Sequence, residues 1–131
     1  MTAEWTVEVT DRFAAAHKLE YHRGQCRRLH GHTYTVTVMV AREDGGLDDI
    51  NMVYDLGDLK LAVRDAVRRL DHTGKLLNEL LFTANPTCEI VAKYIGERLE
   101  ANMSDRDLEI LRVTVSESPG ATVAYYPGGL T

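Results

Sequence analysis

Three histidines in the first quarter of the chain have the residue type and spacing of a metal site. His30 and His32 flank Gly31 where a strand is predicted to begin, and alternate residues of a strand point to the same side. His17 ends the preceding predicted strand, which should pair with this one. All three imidazoles could therefore reach one zinc ion and leave a coordination position open. The alternative is that the two neighbouring histidines are only the polar surface of a strand.

Cys26 could supply a reactive thiol beside these histidines, because it lies four residues before His30 in an arginine-rich segment. Nearby cations and a bound ion would favour its thiolate, which is a base or nucleophile. The alternative is a buried, unreactive cysteine, which is the interpretation we favour for Cys88 at the start of a predicted helix. His22 has no partner at strand spacing, and we interpret it as a solvated loop residue.

The dipeptide Asp71-His72 follows the first predicted helix and could supply an acid that complements Cys26. An adjoining aspartate can fix the tautomer of a histidine or sustain its protonated form. This role requires the fold, or a neighbouring subunit, to bring the pair near Cys26. The alternative is a local arrangement in which His72 interacts favourably with the C-terminal end of the helix dipole.

Glu117 places a carboxylate where the strand alternation predicts an apolar side chain, after Val113 and Val115. A buried acid is costly unless it is paired, and a ligand with two adjacent N–H donors, such as the edge of a pterin or guanine, would pair with it. The alternative is an acid at a strand end that reaches solvent. Glu89, in the first turn of the second helix, could assist Glu117 or simply complement the helix dipole.

Composition and charge narrow the class of protein. The chain has 131 residues, 44% hydrophobic and 27% charged, as expected for one folded domain over residues 1–131. The formal charge of −5 argues against nucleic-acid binding, and no apolar run suits a signal peptide or a membrane span. With only two cysteines, we expect a reduced, cytoplasmic protein. Cations nevertheless cluster near the candidate site and would suit an anionic small molecule: Arg12, Lys18, Arg23, Arg27 and Arg28.

The periodicity of apolar residues predicts the element order β-β-α-α-β-β. Hairpins that flank a helical pair favour an α+β fold, in which two helices cover one face of a four-stranded antiparallel sheet. Such a sheet has two open edges, so we expect self-association. The predicted strands are residues 4–16, 32–43, 111–117 and 121–126, and the predicted helices are residues 56–70 and 85–103.

Local signals place some residues within these elements. Asp55 is a plausible N-cap of the first helix, and Pro86 suits the first turn of the second helix. In the third strand, the alternation predicts that Leu111, Val113 and Val115 share the inward face.

Six motifs in this order resemble those of the 6-pyruvoyltetrahydropterin synthase superfamily: FAAAH, C-x3-H-G-H, YDLGDLK, LDH, NPTCE and VSES. The three-residue gap between Cys26 and His30 is similar to that of the bacterial branch, 6-carboxy-5,6,7,8-tetrahydropterin synthase. The resemblance implies the tunnelling fold, in which subunits join their sheets into a barrel and together build each active site.

The resemblance also implies roles for individual residues. His17, His30 and His32 match zinc ligands, and Cys26 matches a catalytic cysteine that works with the pair matched by Asp71 and His72. Glu117 matches the acid that anchors the pterin ring, and Glu89 and Thr87 match further pocket residues. The chain departs from its relatives at Cys88, where they often have Ser or Thr, and in a slightly longer loop after His72.

The substrate implied by the resemblance is 7,8-dihydroneopterin triphosphate, which would be converted to 6-carboxytetrahydropterin, acetaldehyde and triphosphate in queuosine or other 7-deazapurine biosynthesis. Zinc would hold the side-chain hydroxyls of the substrate, Cys26 would remove a proton, and His72 with Asp71 would return one. Three alternatives stay open: the pyruvoyl product, a zinc-bearing pterin or purine binding protein without turnover, and a structural domain with surface histidines.

Overall fold

The fold is a single antiparallel sheet of four strands with helices packed on one face. The computed structural model describes residues 2–103, 105 and 107–130. The sheet order is β1-β2-β3-β4, and α1 and α3 pack against the sheet and each other. The strands are β1 (Val7–His17), β2 (His30–Arg42), β3 (Leu108–Ser118) and β4 (Ala121–Tyr125), and the helices are α1 (Leu56–Arg68), α2 (Leu77–Leu80) and α3 (Cys88–Asn102). The predicted α+β architecture is confirmed, with the short α2 as an addition.

The alternation along β2 determines which of its side chains enter the core. Tyr34, Val36, Val38 and Val40 are fully buried beneath α1 and α3. His30 and His32 have the same phase in the strand, so they continue this inward row at the end of the sheet. Burial of the apolar residues therefore determines the direction of the histidines.

The N-terminus of each long helix is capped by a side chain. Asp55 caps α1, as predicted, and its carboxylate accepts a hydrogen bond of 2.8 Å from the Asp58 N–H. The prediction that Pro86 lies in the first turn of α3 was wrong. Thr87 is the N-cap there, with its hydroxyl 3.4 Å from the Ile90 N–H. The helix therefore begins at Cys88, and the Pro86 carbonyl is free to meet another group.

A β-bulge interrupts the pairing of β2 with β3. Met39 lies opposite Arg112 and Val40 lies opposite Ile110, so Leu111 is the extra residue. Consequently Ile110, not Leu111, faces the core, and the prediction for Leu111 was wrong. Beyond the bulge, Val113 and Val115 are fully buried, as predicted.

Sequence periodicity overestimated β1 at its start and missed α2. The strand begins at Val7, and Trp5 before it is 53% exposed. In the segment after α1, Leu77 is fully buried, which holds the single turn of α2 against the core. No helix within residues 2–103, 105 and 107–130 is both long enough and apolar enough to cross a lipid bilayer.

Candidate active site

The three predicted histidines converge at one end of the sheet. His17 is the last residue of β1 and lies directly opposite His30, the first residue of β2. His32 follows two residues later on the same face, and one ring nitrogen from each imidazole lies within 4.8 Å of the others. These three side chains could therefore hold one metal ion.

Backbone carbonyls orient two of the three rings. Nδ1 of His17 lies 2.8 Å from the Pro86 carbonyl, and Nδ1 of His30 lies 2.6 Å from the Arg28 carbonyl. A carbonyl only accepts hydrogen bonds, so these partners assign the protons to Nδ1 and the lone pairs to Nε2. The two Nε2 atoms are only 3.0 Å apart, an arrangement that repels unless a cation or a proton lies between them.

The surroundings of His17 favour its neutral, metal-binding form. Burial lowers the pKa of His17 below its usual value, and the charges of His30 and His32 add to this shift. The hydrogen bond to the Pro86 carbonyl and the charge of Glu117 oppose it, without reversing it. A metal ligand must be deprotonated, so this lowered pKa suits metal coordination better than a shared proton.

Glu117 completes this group from β3. Its Oε2 lies 3.7 Å from Nε2 of His17 and 3.6 Å from Nε2 of His32. Both Glu117 Oε2 and His32 Nε2 are buried and have no hydrogen-bond partner within the part of the chain that the structure describes. Unpaired buried polar atoms around three imidazole nitrogens are what a bound cation would satisfy, so the donor set fits zinc.

Two clefts meet beside the histidines, and both are lined by Cys26 and Glu117. The first has a volume of about 270 Å³, and Thr87, Cys88 and Glu89 at the start of α3 line its wall. The second, of about 470 Å³, is lined by residues of the loop before β2 and by its first histidines: Gln25, Arg28, Leu29, His30 and His32. The structure thus places Cys26 in the lining of both the possible ligand pocket and the cleft beside the possible metal ligands.

The comparisons with known proteins agree with this geometry. Residues 6–128 match the family model described as 6-pyruvoyl tetrahydropterin synthase. The chain belongs to this family. It is 38% identical over 99 residues to the 6-carboxy-5,6,7,8-tetrahydropterin synthase of Synechocystis, covering 73% of this chain and 75% of that protein. It is 33% identical over 105 residues to the dihydroneopterin monophosphate aldolase of Pyrococcus furiosus, covering 80% and 82%.

A solved structure supports the same assignment. The 6-pyruvoyl tetrahydropterin synthase of Caenorhabditis elegans superposes with a TM-score of 0.80 at 31% identity, covering 93% of this chain and 94% of that one. The activities for which these three proteins are named differ, although all three names concern pterin compounds. Membership of the 6-pyruvoyl tetrahydropterin synthase family therefore indicates a pterin-processing enzyme and leaves the individual reaction to be argued from the site.

Asp71 and His72, proposed from their position after the first helix and from the family resemblance, line neither of the two clefts that Cys26 lines in this protomer. They lie beside the free edge of β1. Oδ1 of Asp71 accepts a hydrogen bond of 2.8 Å from the Ala14 N–H, and the His72 N–H donates to the Ala14 carbonyl. The pair therefore satisfies backbone groups of Ala14 that lack a neighbouring strand.

The side chains of this pair are nevertheless organised. His72 is 77% exposed, has a positive φ of 50°, and holds its Nδ1 2.6 Å from Oδ1 of Asp71. Burial alone would raise the pKa of Asp71, but the Ala14 N–H, His72 and Arg64 together lower it. An ionised Asp71 thus orients an imidazole that points into solvent from this protomer.

Two further features of the clefts escaped sequence analysis. His22 is exposed, as expected of a loop residue, yet it lines the 270 Å³ cleft with Cys26. The first cleft also includes Ser118 and Thr122. The periodicity of hydrophobic residues could not predict these positions, because the residues lie in or next to a loop and a turn that have no regular repeat.

Cys88 lies in the ligand-pocket wall and is not simply packed in the core. Burial, followed by the charges of Glu117 and Glu89, raises the pKa of the Cys88 thiol to about 12. This cysteine therefore stays protonated near neutral pH and is unsuited to act as a nucleophile.

Proposed function

We propose that this protein is a zinc-dependent 6-carboxy-5,6,7,8-tetrahydropterin synthase, a cytoplasmic lyase of queuosine or other 7-deazapurine biosynthesis. Its substrate is 7,8-dihydroneopterin triphosphate, which with water gives 6-carboxytetrahydropterin, acetaldehyde and triphosphate. The observation that carries the proposal is the convergence of His17, His30 and His32 with Cys26 and Glu117 where two clefts meet.

The pterin ring of the substrate binds in the 270 Å³ cleft. Glu117 and Glu89 supply carboxylates there, and Thr87 supplies a polar side chain. A carboxylate can accept two parallel hydrogen bonds from the amino and ring N–H groups of a pterin, which fixes the orientation of the ring. The three-carbon side chain of the substrate then extends toward the histidines and Cys26.

His17, His30 and His32 would hold the zinc ion. When bound, zinc would polarise the side-chain hydroxyls of the substrate and make the attached C–H groups more acidic. Cys26 is the base, because this residue lines both the ring cleft and the histidine cleft. As a thiolate it removes a proton from the side-chain carbon, and the electrons left behind reduce the ring.

His72 and Asp71 return a proton to the substrate. They do so in an active site whose Cys26 belongs to a neighbouring subunit. Three observations support this assignment: the pair lies outside both clefts of its own protomer, it lies at the free edge of β1, and the His72 ring is exposed and oriented by Asp71. The enzyme is then a homo-oligomer, either a hexamer or a tetramer, that forms a barrel through its open sheet edges.

The triphosphate is held by a basic group next to Cys26. Arg23, Gly24, Gln25, Arg27 and Arg28 surround a third cleft of about 340 Å³. Gln25 and Arg28 also line the histidine cleft, so the basic group continues directly from it. Guanidinium groups pair well with phosphate oxygens, which suits an anionic leaving group at this position.

The branch assignment rests on the three-residue gap between Cys26 and His30 and on the identity with the Synechocystis enzyme. The test is to incubate the purified protein with 7,8-dihydroneopterin triphosphate and to measure acetaldehyde, triphosphate and zinc. Release of acetaldehyde together with triphosphate is the expected result. A pyruvoyl product without acetaldehyde would instead indicate 6-pyruvoyltetrahydropterin synthase activity.

Two parallel measurements separate the remaining alternatives. Pterin binding without turnover would indicate a non-catalytic pterin or purine binding protein. The monophosphate of dihydroneopterin should also be tried, because one relative is an aldolase named for that compound. Turnover of the monophosphate and not of the triphosphate would contradict the proposed substrate.

A further inference from the structure

We infer that Glu117 is a ligand of the metal when the pterin cleft is empty, and that a bound pterin ring draws it away. This inference rests on the proposed function, since it needs a metal at the histidines and a pterin in the adjacent cleft. Glu117 would then control access of the substrate to the fourth coordination position of the metal, in addition to binding the pterin ring.

The distances suit a fourth ligand. Donor atoms around a tetrahedral zinc ion with bonds near 2.0–2.1 Å are separated by about 3.3 Å. Glu117 Oε2 lies 3.7 Å from Nε2 of His17 and 3.6 Å from Nε2 of His32, and Nε2 of His17 and His30 are 3.0 Å apart. The distances from the carboxylate oxygen to the Nε2 atoms of two of the three imidazoles are therefore close to the distance expected between two ligands of one zinc ion.

The lack of hydrogen-bond partners for two buried atoms at this site supports the same conclusion. Glu117 Oε2 and His32 Nε2 are both buried, and neither has a hydrogen-bond partner within the described residues. Three neutral imidazoles leave a divalent ion with its whole charge, so an anionic oxygen at this position would neutralise half of it. Coordination explains why Oε2 of Glu117 is buried against the histidines although the side chain as a whole is 29% exposed.

The same carboxylate also borders the cleft proposed for the pterin. Glu117 lines the 270 Å³ cleft together with Thr87, Cys88 and Glu89. When both oxygens of the carboxylate turn toward the two N–H donors of a pterin, the oxygen that faces the metal shares its negative charge with a hydrogen bond and changes its direction, which weakens its bond to the metal. Binding of the ring therefore frees a coordination position, which the side-chain hydroxyls of the substrate then occupy.

The test compares metal binding by the wild-type protein with that by Glu117→Gln, and Glu89→Gln is the matched control. Both substitutions remove one carboxylate from the same cleft, but only Glu117 faces the histidines. Zinc affinity is measured by competition with a chromophoric chelator. We expect Glu117→Gln to weaken zinc binding by about 10–100-fold and Glu89→Gln to change it by less than about threefold.

A second arm uses cobalt(II) in place of zinc and unsubstituted pterin as the ligand. This pterin has the ring edge but no side-chain hydroxyls, so it cannot itself occupy the freed position through such a group. Its addition should change the visible absorption bands of cobalt in the wild-type protein. It should have little effect in Glu117→Gln, whose cobalt spectrum should already differ from that of the wild type.

The inference is overturned if Glu117→Gln binds zinc as tightly as the wild type, or if pterin binds, as shown by quenching of its fluorescence, without altering the cobalt spectrum. Those results would leave the proposed function in place. If the wild-type protein binds no metal at all, the proposed zinc-dependent function fails instead. Circular dichroism of each variant checks folding, and Glu117→Asp, which keeps the charge but shortens the side chain, provides a second variant with the same expected loss of affinity.

Discussion

The Nε2 atoms of His17 and His30 lie 3.0 Å apart across adjacent strands, although Nδ1 of each ring already faces a backbone carbonyl. A metal ion or a proton between the two rings would relieve the repulsion between their lone pairs. The close approach of the rings follows from antiparallel pairing, which sets the last residue of β1 directly opposite the first residue of β2.

The first prediction concerns metal content. Protein purified without a histidine tag should contain about one zinc ion per chain. His30→Ala and His32→Ala should each lose most of this zinc, whereas His22→Ala should retain it, because His22 lies outside the histidine group. Elemental analysis of the four proteins gives the answer, and full zinc content in His30→Ala would contradict the metal site.

Removal of the metal should also lower the thermal stability. A ligand that binds only the folded state raises its stability in proportion to the logarithm of ligand concentration over Kd. A chelator should therefore reduce the Tm of the wild-type protein, and added zinc should restore it. The same treatment should leave the Tm of His30→Ala unchanged, which controls for other effects of the chelator.

The second prediction separates Cys26 from Cys88. Cys26→Ala should reduce turnover by about 10²–10⁴-fold, because it removes the proposed base, while zinc content stays unchanged. Cys88→Ser is the matched control: the thiol in the wall of the pocket stays protonated, and its replacement by a hydroxyl should lower turnover less than tenfold. Comparable losses in both variants would contradict the role proposed for Cys26.

The third prediction tests whether Asp71 and His72 act on a neighbouring subunit. Cys26→Ala and His72→Ala should each be inactive when purified alone. After the two proteins are unfolded together and refolded, about a quarter of the sites in random mixed oligomers should combine both intact residues. Activity should return to that level if the residues come from different subunits. A mixture that stays inactive, despite subunit exchange shown by mass spectrometry, would place the pair elsewhere in the mechanism.

The fourth prediction concerns the basic cleft. Joint substitution of Arg27 and Arg28 by Gln should weaken binding of the triphosphate substrate by about tenfold or more at low salt, with a smaller effect as salt screens the charges. Binding of dihydroneopterin, which lacks phosphate, should change little. Lys93→Gln, which removes a cation from an exposed position on α3, is the control and should affect neither ligand.

The fifth prediction concerns stability in acid. The pKa of Asp71 is lowered in the folded protein, so the unfolded chain binds its proton more readily. Asp71 therefore stabilises the fold above its unfolded pKa, which is near 3.8, and this contribution is lost as the pH falls through the lower folded pKa. Asp71→Asn should be less stable than the wild type near neutral pH, and the difference should shrink in acid.

Thermal unfolding measured from neutral pH down to acid checks this result. Glu100→Gln, which neutralises an exposed acid on α3, provides the comparison. A stability difference between Asp71→Asn and the wild type that stays constant over the whole range would show that the Asp71 charge has no part in it.

Much of the site was accessible from the sequence, because strands obey simple rules. Side chains two residues apart share a face, so His30 and His32 had to point together, and antiparallel pairing brought His17 opposite His30. The same rule placed Glu117 on the inward face after Val113 and Val115. These predictions depend on local periodicity and on a single pairing of neighbouring strands.

Other parts of the site depend on irregular loops or on contacts between residues that are far apart in the sequence, and local sequence patterns do not predict these. The lining of the ligand cleft by His22 follows from the path of an irregular loop. The position of Asp71 and His72 at the edge of β1 follows from hydrogen bonds to Ala14, 57 residues away from Asp71 along the chain. Pro86 was placed wrongly because the Thr87 hydroxyl is a better cap for α3 than the proline signal indicated.

The single extra residue at Leu111 has a consequence for how this family can evolve. The residues of β3 on both sides of the bulge direct apolar side chains inward, but the inward residue is even-numbered before the bulge and odd-numbered after it. The extra residue of the bulge makes this change in the alternation possible. A deletion of one residue here would leave the length of the strand almost intact. Because Ile110 and Val113 would then be two residues apart, a regular strand would direct both of them inward together with Glu117, so the bulge could be lost without changing which side chains face the core.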